Sequence, residues 1–126
     1  MTDIKALARS WFPGTPESVA KARAWVREAA QHSGHAPLAP TVELLVSELA
    51  TNAVRYSAEG GFLIELDTDH RLIVAVCDSS STPPAVVEAA PTDTGGRGLA
   101  LVSTLADRWG VELHPDGKCL WFELAD

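Results

Sequence analysis

Apolar positions recur with two different periods along the 126-residue chain, and the changes of period mark its elements. Residues 7–12, LARSWF, form a short strand stopped by Pro13-Gly14. Thr15 then offers a helix N-cap, Pro16 suits the first helical position and Glu17 suits the positive end of the helix dipole. Val19, Ala22, Val26, Ala29 and Ala30 give an amphipathic first helix that runs to about Gln31. The segment HSGHAP is a loop, with Gly34 set to end the helix. Pro37 and Pro40 bracket the start of a second helix, whose core stretch VELLVSELATNAVRYS covers residues 42–57. There Val42, Leu45, Val46, Leu49, Ala53 and Tyr56 share one face, the spacing of a helix lying on a core.

Gly60-Gly61 breaks that helix, and Phe62, Ile64 and Leu66 then alternate with Leu63, Glu65 and Asp67 as a strand. Thr68-Asp69-His70 turns the chain into a second run, Leu72 to Cys77, which is apolar on both faces and reads as a central strand ending at Asp78. Residues 79–94 predict no regular structure beyond one short helical option at Ala85 to Ala90, and a loop of this length is usually functional or mobile. Gly95-Gly96-Arg97-Gly98 leads into a third helix marked by Leu101, Val102, Leu105 and Trp109. A closing hairpin follows: Trp109, Val111 and Leu113 alternate, Pro115-Asp116-Gly117 turns, and Leu120, Phe122 and Leu124 alternate back. This order predicts one α+β domain over residues 1–126, with the helices on one face of a sheet.

Composition narrows the function classes. An apolar fraction of 46% with 21% charged residues describes a globular chain. A net charge of −7 without a basic cluster argues against nucleic acid or an anionic membrane as the main partner. No apolar run approaches the roughly 18 residues that span a bilayer. MTDIKALARS lacks the apolar core of a secretory signal, so the expected compartment is the cytoplasm. In that setting Cys77 and Cys119 read as buried free thiols in preference to a disulfide. The four histidines show no zinc-like spacing.

Three polar features break the apolar patterns. Glu48 and Asn52, one turn apart, stack at the margin of the second helix's apolar face. The plain reading is a helix face; the functional one is an amide oxygen for Mg²⁺ with a carboxylate beside it to take a proton. Asp78 at a strand end is either a turn residue or an acceptor, such as one for an exocyclic amine of a base. The GGRG run is either a flexible cap or an anion site, because a helix N-terminus carries unpaired N–H groups and glycines let phosphate approach closely. Arg97 would add a charge-assisted contact there.

The order of these features is more specific than any one of them. SELATNAVRYS, VCDSSSTPP and TGGRGLALV resemble in sequence the N-box, adenine box and phosphate box of the GHKL ATP-binding (Bergerat) fold. That superfamily includes gyrase, histidine-kinase ATP domains and bacterial anti-sigma serine kinases. The likeness covers nearly the whole chain and is greatest to the small single-domain regulators related to the anti-sigma kinases. It implies a two-layer sandwich of a mixed, mostly antiparallel sheet with about three helices on one face. It also implies ATP and Mg²⁺ as cofactors, with Asn52 the metal ligand and Glu48 the general base. Asp78 would accept from the adenine amino group. Gly95, Gly96, Arg97, Gly98 and Leu99 would form the phosphate end of a lid whose mobile part is residues 82–94. Two departures bear on nucleotide affinity: Ser80 stands where the family usually has glycine, and Cys119 matches a threonine that reaches towards the adenine-binding aspartate.

The function implied is an ATP-binding regulator of transcription, an anti-sigma-type serine/threonine protein kinase. It would bind a sigma factor or an antagonist protein and phosphorylate the antagonist. A partner-binding module with weak or no nucleotide binding is the alternative. The chain's length disfavours a stand-alone ATPase machine or a histidine kinase. A homodimer through the first helix or an exposed part of the sheet follows from the resemblance alone.

Overall fold

The computed structural model describes residues 8–56, 60–79 and 97–126. The elements in chain order are β1 (Ala8–Pro13), α1 (Pro16–His32), a 3₁₀ turn (Ala36–Leu38), α2 (Ala39–Tyr56), β2 (Gly61–Asp67), β3 (Leu72–Asp78), α3 (Arg97–Leu105), β4 (Arg108–His114) and β5 (Gly117–Leu124). The strands form one five-stranded sheet in the order β1-β2-β3-β5-β4. Each of its four pairings is antiparallel. Where the sequence predicted a mixed sheet, the described strands carry no parallel pair. The helices cover one face, giving the two-layer α+β sandwich.

Period-2 alternation builds the interface between the layers. Phe62, Ile64 and Leu66 of β2 are fully buried, as are Leu72 and Val74 of β3 and Phe122 of β5. They meet α2, which buries Val42, Leu45, Val46, Leu49, Ala50 and Ala53 and touches both other helices as well as β2 and β3. Burying a side chain such as Leu or Phe contributes roughly 1.5–3 kcal/mol each, so this central helix organises the core. Trp25 of α1 meets Phe12 of β1 edge-on at 6.0 Å between ring centroids, and Phe12 stacks on Phe62 at 5.4 Å. Both geometries are favoured by aromatic quadrupoles. They fasten the edge strand to its neighbour and to α1.

Three expectations are corrected. Cys77 and Cys119 are not free thiols but form a disulfide. The antiparallel register sets them directly opposite one another with Cα atoms 4.0 Å apart, and sequence periodicity within one strand does not reveal register across two. Trp109 belongs to β4 and not to the third helix, which ends at Leu105. On α3 it is Leu99 and Val102 that are buried, whereas Leu105 is exposed. A nine-residue helix is too short for its periodicity alone to settle which flank faces inward.

Candidate nucleotide site

The end of the sheet where β3 finishes and β5 begins gathers the polar features singled out in the sequence. Glu48 and Asn52 lie on α2, both half-buried, at the margin of the face that packs into the core. The first turn of α3 comes down on them. A Cβ built on buried Gly98 would fall 2.9 Å from Asn52 Nδ2 and 3.3 Å from Glu48 Cβ. Only a glycine lets the α3 backbone lie this close to the two side chains. The N–H groups at the start of a helix lack intrahelical partners and carry its positive dipole end. The fold therefore sets an anion-attracting helix start beside a carboxylate and a carboxamide.

Asp78 ends β3 at this same end of the sheet. In cross-strand register it stands between Phe62 and Lys118, and Phe62 points into the core. Opposed residues of neighbouring strands share a face, so Asp78 and Lys118 point to the helix-covered side. There Lys118 Nζ donates to Asp78 Oδ1 at 3.2 Å, with side chains 15% and 10% exposed respectively. A pair this far from water is a stronger electrostatic feature than a surface ion pair.

Glu48, Asn52 and Gly98 are thus brought together, and buried Leu99 continues the same turn of α3. Ser80, Gly95, Gly96, the Arg97 side chain and the expected lid over residues 82–94 lie outside the described residues. Cys119 is not brought to Asp78. One residue out of phase with Lys118, it lies on the opposite face of the sheet, bonded to Cys77. Lys118, which sequence reasoning passed over, is the residue that the structure sets against Asp78. A signal was there: it shares the period-2 phase of Leu120, Phe122 and Leu124, which face the core. A lysine in that phase of a strand calls for a partner.

A second polar cluster occupies the opposite end of the sheet. His35, 5% exposed, donates from Nε2 to the Thr68 carbonyl at 3.0 Å, and its Nδ1 lies 2.6 Å from Asp126 Oδ1. Carbonyl and carboxylate oxygens only accept, so both ring nitrogens act as donors and the ring is an imidazolium. Burial alone would lower the His35 pKa. The Thr68 carbonyl and the Asp126 carboxylate more than offset it, and the net effect raises the pKa above 6.5.

A sequence comparison with curated proteins finds no significant match. Among solved structures, the chain is similar to the RsbU and RsbW domains of Rv1364c from Mycobacterium tuberculosis, with a TM-score of 0.61 and 19% identity. The alignment covers 94% of this chain but 32% of that one, so the chain spans about a third of its structural relative. At this identity the likeness speaks for the fold. Residues 12–124 match the family described as the histidine kinase-like ATPase domain. The match covers almost the whole two-layer sandwich, from the end of β1 to the last residue of β5, and this chain belongs to that family.

Proposed function

We propose that this domain binds Mg-ATP between α2 and the start of α3, and transfers the γ-phosphoryl group to a serine or threonine hydroxyl of an antagonist protein in sigma-factor regulation. The observation that carries the reading is the contact of Gly98 with Asn52 and Glu48, which sets a helix N-terminus against the one carboxylate–carboxamide pair on α2. Family membership supports it, as does the fold likeness to a chain that contains an RsbW domain.

Each residue then has a distinct task. Backbone N–H groups at the start of α3 hold phosphate oxygens. The Glu48 carboxylate accepts the proton from the attacking hydroxyl. Asp78 accepts from the amino group of the base. Asn52 would hold Mg²⁺ through its carboxamide oxygen. Among the described residues no group of three or more His, Cys, Asp or Glu is gathered, so most of the ion's shell would come from phosphate and water, as suits this metal. Bound there, the ion neutralises phosphate charge. Catalysis of this kind needs mainly positioning and electrostatics, which a small residue set supplies.

Transfer of labelled γ-phosphate to candidate antagonist proteins tests the reading. Glu48→Ala should cut transfer by about 100-fold or more while Mg-ATP still binds; transfer at the wild-type rate would rule out Glu48 as the base. One observation favours a second reading, a binding module without transfer: the Asp78 carboxylate is already engaged by Lys118. Calorimetry separates the two, since no binding at millimolar Mg-ATP leaves the module and removes the kinase. The expected partners remain proteins. Among the described residues no helix is long and apolar enough to cross a membrane. Trp11, 59% exposed on the uncovered face of the sheet, offers an anchor for a partner or a second copy.

A further inference from the structure

The disulfide stands one rung from the end of a ladder. β3 and β5 are paired from Leu72 opposite Leu124 to Asp78 opposite Lys118, and Cys77 opposite Cys119 is the last pair but one. Beyond the bond the ladder holds only the Asp78–Lys118 rung, at the end of the sheet where the candidate site lies. The final rung of a ladder opens at a lower free energy than the rungs inside it. A covalent bond on the neighbouring rung confines that opening and keeps the end of β3, with Asp78, in one position.

The same bond faces away from the helices. Alternation puts Asp78 and Lys118 on the helix-covered side and both cysteines on the uncovered side, in one row with Leu63 and Trp11. Both cysteines are half-buried, and the buried core that joins sheet and helices is built from other residues. A reductant therefore reaches the sulfurs from the open face, and breaking the bond unpacks none of the core. Resting on the nucleotide reading above, we propose that Cys77–Cys119 is a site of reversible thiol–disulfide exchange whose reduction weakens Mg-ATP binding. A thiolate of a dithiol reductant attacks one Sγ, forming a mixed disulfide as the Cys77–Cys119 bond breaks and the other Sγ leaves as a thiolate. The second thiol of the reductant, deprotonated, then displaces the remaining cysteine. Two electrons pass to the protein, the two cysteine thiolates take up the protons that the reductant's thiols gave up, and the reductant leaves as its own disulfide. In the reduced chain the terminal rung opens more often, and the apparent affinity falls with the closed fraction.

Calorimetry of Mg-ATP on the full chain, oxidised and then reduced with dithiothreitol, tests this, with free thiols counted in each state. Reduction should raise the dissociation constant about fivefold or more, and reoxidation should restore it. Linkage requires an equal effect in return: saturating Mg-ATP should lower the equilibrium constant for reduction by dithiothreitol by that same factor. A disulfide with a purely structural role moves neither quantity. The double variant Cys77→Ser, Cys119→Ser should bind like the reduced chain with or without dithiothreitol, although the wild-type comparison needs no variant. Circular dichroism of the reduced wild type should keep its helix and sheet signal. The inference is overturned, with the nucleotide reading left standing, if Mg-ATP binds and reduction leaves the constant within about twofold, tightens it or unfolds the chain. A bond that stays intact in the folded protein under excess dithiothreitol overturns it too. If neither form binds Mg-ATP at millimolar concentration, the nucleotide reading falls, and this inference with it.

Discussion

The two ends of the sheet each bury an ion pair, and they bury it differently. At one end His35 is closed on every side: both ring nitrogens are bonded, and the bonds reach the β2–β3 turn and the segment after β5. Three stretches distant in sequence are tied by one side chain whose donors are fully used. At the other end Asp78 and Lys118 come from adjacent strands, and Lys118 Nζ donates to Asp78 Oδ1 at 3.2 Å. Gly98 and Gly117 also bring backbone close there, where side chains would fill the space. The first pair ties distant segments of the chain together, and the second joins neighbouring strands beside closely approaching backbone. Charge and burial alone do not tell these apart; the span of chain that each pair ties together does.

That contrast can be broken at either end, and the largest effect is expected at the His35 end. His35→Ala removes two buried hydrogen bonds and leaves the Thr68 carbonyl and the Asp126 carboxylate without their donor. It should lower the unfolding free energy by about 2–3 kcal/mol in urea titrations, with little change in nucleotide affinity. The same residue predicts a pH dependence. Its folded-state pKa is raised above the ordinary 6.5, so the folded protein holds the proton more tightly than the unfolded chain. That contribution to stability is complete below about pH 6.5 and is lost as pH rises through the higher folded-state value. Urea midpoints should therefore fall across that window, and His35→Gln should flatten the fall.

At the site end the expected order is reversed, with function touched before stability. Gly98→Ala puts a methyl group 2.9 Å from Asn52 Nδ2, a side-chain tip, and 3.3 Å from Glu48 Cβ, so the first turn of α3 must lift slightly from α2. Mg-ATP affinity should drop roughly tenfold, about 1.4 kcal/mol, while the unfolding midpoint moves little. An unchanged affinity would separate α3 from the phosphate site. The smallest effect is expected on the uncovered face, where the Arg9–Glu65 pair is solvent-exposed on the Arg9 side. Glu65→Gln should change stability by less than about 0.5 kcal/mol and leave both ends of the sheet unaffected.

Much of this arrangement was legible along the chain because each element carries its own period. The inward face of α2 and the alternation of β2 were read correctly from Val42 to Ala53 and from Phe62 to Leu66. So was the central place of β3, because a strand apolar on both faces belongs inside a sheet. What was not legible depends on how elements meet. The disulfide requires Cys77 and Cys119 to fall opposite one another, which is a fact of register. The same one-residue phase separates Cys119, expected to face the base, from Lys118, which does face Asp78. The approach of Gly98 to Asn52 is likewise a contact between helices 46 residues apart in the chain, and a glycine cluster alone says only that some close approach is needed. Trp109 had fitted two patterns at once, and the chain used the second.

The bond between Cys77 and Cys119 has a topological consequence. It closes residues 77–119 into a covalent ring, and Asp78, the whole of α3 with Gly98, and Lys118 all belong to it. Glu48 and Asn52 stand outside it, on α2. Closing a loop of this length removes chain entropy from the unfolded state worth about 4 kcal/mol on the simplest polymer estimate. The ring also makes the Asp78–Lys118 pair and the start of α3 two points on one closed circuit. A backbone cut at any point between Asp78 and Lys118 would open that circuit without parting the molecule, so the two halves of the site would stay in one piece.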